Sequence, residues 1–198
     1  MINLLYEPLP DSIHADGEDY GILTDYREWL RFADMITDKE LTAEDKVMLA
    51  MEWIDDPPEI ITHELVQALF DFFRVSELVP KPIRHDEEDA QDDEEQETIE
   101  KPPVFDWKID ARYLLGDFRH YYGINLLTAE LHWWEFQALF AALPDESMCS
   151  KRIAYRSTDL GKIKDKSERQ RIAKIQRQIA LPFEISDEMI GAMLWSTT

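Results

Sequence analysis

Tyr121-Tyr122-Gly123-Ile124-Asn125-Leu126-Leu127-Thr128-Ala129-Glu130-Leu131-His132-Trp133-Trp134-Glu135-Phe136-Gln137-Ala138-Leu139-Phe140-Ala141-Ala142-Leu143-Pro144 is the stretch whose reading decides the fold. Gly123 stands where a helix ends, because glycine takes the left-handed backbone of a helix C-terminus at no steric cost. Ile124 to Leu127 read as a short apolar joint. Thr128 is placed to cap the next helix, since its hydroxyl can accept from the free amides of a first turn. That helix is predicted to run to about Ala142 and to stop before Pro144, whose predecessor disfavours helical backbone. Leu131, Trp134, Leu139 and Ala142 fall along one side of it, and Trp133, Phe136 and Phe140 along another. Apolar side chains covering so much of a helix mark it as central and largely buried. Each aromatic ring buries roughly 150–250 Å², so this one segment can dominate a small core. Core packing is the first reading of the rings. The second is a Trp face lining a groove that grips another protein, which makes Trp133, Trp134, Phe136 and Phe140 candidate protein-binding residues.

The segments on either side are also helical in pattern. Asp106 is a cap candidate for a helix through Ile109, Ala111, Tyr113, Leu114, Phe118, Tyr121 and Tyr122. Asp145 to Tyr155 reads as another. Ser157-Thr158-Asp159 offers a cap for a basic amphipathic helix running to Ala180 and stopped by Leu181-Pro182. Its apolar stripe is Ile172, Ile175 and Ile179, and its polar face carries Lys162, Lys164, Lys166, Arg169, Arg171, Lys174 and Arg177. The plain reading is a solvated face. The functional reading is a surface for an acidic partner or nucleic acid, with Lys166, Arg169 and Lys174 as its candidates; the overall charge and the lack of interleaved aromatics argue against nucleic acid. Ser186-Asp187-Glu188 can cap a last short helix through Met189, Met193, Leu194 and Trp195.

Toward the N-terminus, Ile2 to Tyr6 reads as a short strand. Ser12 to Ala15 and Glu18 to Leu23 read as a hairpin around Asp16-Gly17, which supplies the positive φ angles of a tight turn. Three helices follow. The first is capped by Thr24 or Asp25 and carries Tyr26, Trp29, Leu30, Phe32, Ala33 and Ile36. The second starts at Thr42, with Asp45 three residues on, and runs through Val47, Met48, Leu49, Met51, Trp53 and Ile54. The third starts near Thr62 and carries Leu65, Val66, Leu69, Phe70, Phe72 and Phe73. Between the helical halves, Asp86 to Glu97 holds no apolar anchor except Ala90, and Pro102-Pro103 closes it. Charge repulsion without burial predicts an extended linker there. The expected organisation is therefore mostly α: residues 1–79 as a hairpin with three helices, 80–104 as an acidic linker, and 105–198 as a helical unit.

Composition narrows the function classes. The 198 residues are 44% hydrophobic with six Trp, enough for a real core. A formal charge of −21 opposes binding to nucleic acid or anionic membrane, both polyanions. The charge is uneven: from Lys151 onward ten Lys and Arg face six Asp and Glu, leaving 11 basic and 36 acidic residues before it. One cysteine, Cys149, allows no intrachain disulfide and suits a reducing cytoplasm. No basic region followed by a long apolar run opens the chain, so no signal peptide is expected. No stretch reaches ~18 uninterrupted apolar residues, so no membrane span is expected.

Catalytic spacing is not evident. Six glycines include no phosphate-cradling loop, and neither a GxSxG elbow nor HExxH occurs. His14, His63, His85, His120 and His132 are scattered; His120 and His132 alone fall in neighbouring helices, short of the three or four ligands of a metal site. Cys149 lacks an adjacent base and reads as a small buried thiol. No enzyme activity, cofactor or metal is expected.

Tyr122-Gly123-Ile124-Asn125-Leu126, Leu131-His132-Trp133-Trp134-Glu135-Phe136, Leu139 and Leu143-Pro144, then Tyr155-Arg156 and the basic helix ending Ala180-Leu181-Pro182, resemble the bacteriophage gene-product-fifteen family of siphophages and prophages of Gram-positive bacteria. Gly17, Tyr20, Ile22 and Thr24-Asp25-Tyr26-Arg27 are similar to the start of these proteins and of related tail-assembly chaperones. The resemblance implies a tail-assembly factor in the host bacterial cytoplasm. It would keep the long, helical tape-measure protein soluble and help tail-tube subunits polymerise around it, with self-association as a further expectation. The family brings no catalytic residues. A minor structural tail component is the alternative, and an acidic DNA-mimic inhibitor a more distant one. Met and aromatic side chains suit a holdase, since they adapt to varied apolar surfaces.

Overall fold

The computed structural model describes residues 6–75 and 103–182, which form two compact units. Residues up to 75 join Thr128–Ala142 in the first, and 103–127 join 143–182 in the second. The expected split into consecutive segments 1–79, 80–104 and 105–198 is corrected accordingly: the Trp-rich segment leaves its sequence neighbours and packs with the N-terminal elements. The acidic run at 86–97, the helix expected at 186–195 and all but Tyr6 of the strand expected at Ile2–Tyr6 lie outside the described residues. Tyr6 itself sits in a turn.

In the first unit, β1 (Ser12–Ala15) and β2 (Glu18–Gly21) pair antiparallel with Ser12 opposite Gly21 and Ala15 opposite Glu18. Asp16 and Gly17 take φ of 53° and 82°, the left-handed pair that a two-residue hairpin turn requires. Ile13 and Ala15 are buried while Ser12 and His14 face out, the period-two alternation of a strand with one wet face. The hairpin leans on α3 (His63–Phe73): Asp16 N–H donates to Glu64 Oε1 at 3.1 Å and Thr62 Oγ1 donates to Asp16 Oδ2. Asp25 caps α1 (Tyr26–Thr37) by accepting from Arg27 N at 2.8 Å. Thr42 and Asp45 close a reciprocal capping box at α2 (Ala43–Ala50). The expected continuation of α2 to Ile54 tightens into a 3-10 turn over Met51–Trp53, and Ile22 and Ile54 meet in a short antiparallel bridge that ends the helix.

The Trp-rich helix, α5, spans Trp133–Ala141 rather than starting at Thr128. The reason is a stretch of extended pairing. Trp133 N–H donates to Thr24 O at 2.8 Å, and Tyr26 N–H donates to Leu131 O at 3.1 Å. Residues 131–133 are thus held in extended backbone beside the entrance to α1, so α5 can begin only after them. His132 replaces Thr128 as its cap: its Nδ1 accepts from Trp134 N–H at 3.0 Å. Trp133 and Trp134 then reach the C-terminal end of α3, donating from Nε1 to Phe73 O at 2.8 Å and Phe72 O at 2.9 Å. A carbonyl in a helix's last turn lacks an onward helical partner, so the Trp133 indole satisfies a group at Phe73 that burial would otherwise leave costly, whereas the Trp134 indole shares Phe72 O with the Val75 amide. Trp29 Nε1 donates to Leu23 O just ahead of α1, and Trp53 Nε1 to Glu28 O in its first turn, so these buried indole N–H groups are paired as well. Around Trp29, rings of Phe32, Phe72, Phe73 and Trp133 pack at centroid distances of 4.8–6.4 Å.

In the second unit, the helix expected from Asp106 starts later. Asp106 Oδ1 accepts from Lys108 N and Ile109 N in a turn, and α4 spans Ala111–Asp117. It widens into a π-type turn over Phe118–Tyr122 and stops at Gly123, whose φ of 71° is the left-handed cap expected there. α6 spans Met148–Ser157, starting later than the expected Asp145, and is capped by Ser147. Ser157-Thr158-Asp159 opens no long helix: Asp159 caps a single turn at Leu160–Lys162, and Asp165 caps α7 (Lys166–Ile179). Lys162 and Lys164 therefore precede the basic helix.

Two buried carboxylates organise this unit. Asp117 accepts from Met148 N at 3.1 Å and Cys149 N at 2.8 Å, placing negative charge at the N-terminus of α6 where the peptide dipoles favour it. Asp110, 0% exposed, binds Arg152 Nε at 2.8 Å and the Arg156 guanidinium in fork fashion. Arg156 also donates to Ile179 O at 2.7 Å and Val104 O at 3.0 Å. Gln176 donates to Tyr155 O and Thr158 O, so α6 and α7 each satisfy the other's C-terminal carbonyls.

Trp133→Ala is expected to cost about 3–5 kcal/mol in urea unfolding, the range for large aromatic truncations. Trp133→Phe keeps most of the ring but leaves Phe73 O without its donor, and should cost about 1–3 kcal/mol. Asp110→Asn leaves two guanidinium groups short of their counter-charge and should cost about 3–5 kcal/mol. Burial alone would raise the Asp110 carboxyl, but hydrogen bonds from Arg156 and Arg152 outweigh it and hold it below 3.8. The unfolded chain therefore takes up that proton first, and this stabilisation is present above 3.8 and lost as the pH falls through the folded value. The variant's deficit relative to the parent should shrink over that acid range in the same unfolding experiment.

Candidate functional surface

The predicted binding residues divide into buried and exposed sets. Trp133 and Trp134 are 1% exposed and Phe136 is 0% exposed. Their rings are consumed by the first unit's core: Trp133 lies parallel to Phe73 at 5.6 Å, and Phe136 stacks on Tyr26 at 4.6 Å. They offer no free face to a partner, and the candidate binding role is corrected to core packing for these three. Phe140 is half-buried on the same helix. Lys166, Arg169 and Lys174 are exposed along α7 and belong to none of the ion pairs of the described residues. Arg171 of the same face is held by Glu168 at 2.7 Å. The apolar side of α7 is used internally, with Ile172 buried and α7 packed on α6.

A surface that the sequence reading passed over lies on the first unit. α2 and the start of α3 enclose an open groove of about 510 Å³, lined by Ala43, Glu44, Val47, Met48, Ile61 and Val66 among others. Met48 is 64% exposed, and Ile60, next in sequence to the lining residue Ile61, is 77% exposed. The capping box at Thr42 and the Thr62 cap, whose Oγ1 accepts from Leu65 N at 3.1 Å, fix the two helix ends that form it. The helical pattern assigned Val47, Met48 and Val66 to the apolar faces of their helices. It could not show that Met48 is left uncovered.

A second cavity, about 390 Å³, lies between the hairpin and α3, with Ile13, Phe72 and Trp134 below and His14, Asp19 and Asp71 at its polar edge. His14 Nδ1 and Asp19 Oδ1 are 2.7 Å apart, both well exposed. Among the described residues no group of three or more His, Cys, Asp or Glu is placed to hold a metal ion, and no helix is long and apolar enough to cross a membrane. Cys149 is buried; burial first, then its hydrogen bond to Asp117, pushes the thiol far up, so it stays protonated and inert. His120 is exposed and packs edge-on against Tyr121.

His132 carries a more definite electrostatic assignment. Its Nδ1 accepts from Trp134 N–H, so in the neutral ring Nε2 holds the hydrogen and donates to Pro10 O at 2.9 Å. Burial lowers its tendency to take a proton, against the smaller raising effect of the Pro10 carbonyl.

The family model described as Bacteriophage Gp15 protein matches residues 5–181 of this chain. No curated protein and no solved structure matches it.

Protonating His132 would remove the acceptor that caps α5, and its folded-state value lies below the ordinary 6.5. The unfolded chain binds the proton first, so this contribution to stability is complete above 6.5 and declines as the pH falls below it. His132→Asn keeps a capping side chain that does not titrate. Thermal melts should show the parent's advantage over this variant shrinking on acidification below 6.5; an advantage independent of pH would contradict the assignment.

Proposed function

Because the chain belongs to the bacteriophage Gp15 protein family, we propose that it serves virion morphogenesis as a non-enzymatic tail assembly chaperone in the host bacterial cytoplasm. Its client is the tape-measure protein, with tail-tube subunits as second partners that it helps to polymerise around that client. The observation that carries the chaperone step is the open apolar groove between α2 and α3 on a chain of formal charge −21. Holding an apolar helix in solution requires an apolar surface to cover it and a charged body to keep the complex dispersed. Met48 at the groove suits a client whose contacting side chains change along its length, since its unbranched side chain adapts to irregular surfaces. The exposed basic face of α7 is a second contact for acidic segments of the same partners.

Co-expression with the tape-measure protein of the same phage genome tests this reading. The soluble fraction of that protein should rise severalfold, and the two should co-purify. No rise and no complex, with this chain present stoichiometrically in purified particles by mass spectrometry, would make it a minor structural component of the tail instead.

A further inference from the structure

We propose that the groove between α2 and the start of α3 docks an amphipathic helix whose apolar stripe is flanked by Lys and Arg. The proposal rests on the chaperone reading and specifies the chemistry of the client segment at this groove. Three observations carry it. The lining is apolar where it matters: Val47, Met48, Ile61 and Val66 face one space of about 510 Å³, within the roughly 300–1,000 Å³ range of clefts that hold ligands. The two walls are the ends of helices fixed by side-chain caps, so the groove is preformed and little ordering is needed to fill it. An amphipathic helix fits such a site through side chains at i, i+3 or i+4, and i+7.

The charge around the groove selects the flanks. From Asp38 to Glu64 the chain holds nine Asp and Glu against Lys39 and Lys46. Lys46 is turned to α1, where its Nζ donates to Ile36 O at 2.9 Å. Glu44 lines the groove itself, exposed, and Glu40 and Glu59 are exposed in the segments leading into it, none of the three in an ion pair among the described residues. A helix with acidic flanks would be repelled there, and one with basic flanks attracted. A second copy of this chain is a poor occupant: it shares the negative charge, and the apolar stripe of its own basic helix is already covered at Ile172.

The test uses the full chain and two labelled synthetic helical peptides that share one leucine face. One has lysine on the remaining faces and the other glutamate; binding is read by fluorescence anisotropy. The lysine peptide should bind saturably and at least about tenfold more tightly than the glutamate peptide. Met48→Asp then separates docking from general attraction. It adds a negative charge, so attraction to the acidic chain as a whole predicts tighter binding of the lysine peptide, whereas docking in the groove predicts at least about tenfold weaker binding. Met48 is largely exposed, and unchanged circular dichroism and melting would show that the fold is kept. Glu44→Gln should weaken the lysine peptide severalfold and leave the glutamate peptide no weaker. Equal binding of both peptides, or lysine-peptide binding unchanged or strengthened by Met48→Asp, overturns the proposal. So does a dimer, seen by sedimentation, that Met48→Asp dissociates, since the occupant is then a second copy. If the tape-measure protein is rescued equally by Met48→Asp, the chaperone reading stands and the groove assignment falls. If the peptides behave as expected while that rescue fails for the parent chain, the groove stands and the chaperone reading falls.

Discussion

The two indole N–H groups of Trp133 and Trp134, donating into the last turn of α3, are the constraint from which the first unit follows. Two adjacent side chains on a helix point about a third of a turn apart, so both can reach one helix end only if that end meets the first turn of α5. This requirement fixes where α5 begins and how it meets α3. The extended pairing of residues 131–133 beside Thr24 to Tyr26 supplies the same position from the backbone side. The aromatic packing around Trp29 is then filled from α1, α3 and α5 together. Burial of these rings supplies most of the stabilisation, and the indole hydrogen bonds choose among the ways of burying them.

The second unit is ordered by charge where the first is ordered by rings. Asp110 and Asp117 are both on or beside α4, and each reaches a different part of α6: its N-terminal amides through Asp117, and its arginines through Asp110. A buried ion pair contributes little net stability, because removing the charges from water costs nearly as much as their attraction returns. Its effect here is geometric. An unpaired Asp110 or Arg156 in that interior would be severely unfavourable, so arrangements that separate them are excluded. Arg156 carries the constraint on to the end of α7 through Ile179 O.

Much of this was legible in the residues. The Asp16-Gly17 turn, the Thr42 and Thr62 caps and the stop at Gly123 are local chemistry, readable within a few positions. The mostly helical class follows from the spacing of Trp29, Phe32, Leu65, Leu69 and Phe72. The start of α5 was not legible, because Thr128 is a sound cap by local rules, and it is overruled by a backbone pairing with residues about a hundred positions earlier. The expected grouping of α5 with its sequence neighbours in residues 105–198 gives way for the same reason. Asp110 looked like one more surface acid in a very acidic chain, and nothing local marks it as the partner of arginines some forty residues on. The protein-binding role offered for Trp133 and Trp134 came from counting rings; the structure spends those rings on the core and leaves uncovered Met48, an ordinary position on a short helix.

Under the proposed chaperone role, that exchange bears on how a chain holds an apolar client without binding its own copies. A chain that displayed its Trp pair would risk binding its own copies, since rings of that size attract any apolar surface. Burying the rings and exposing a shallow groove of small and flexible aliphatic side chains gives a weaker, more adaptable contact. In the docking proposed for this groove, acidic side chains near it discriminate by repulsion, against copies of the same chain and in favour of helices of opposite charge. In that proposal the negative charge acts twice, opposing association between like-charged chains and narrowing what the groove between α2 and α3 accepts.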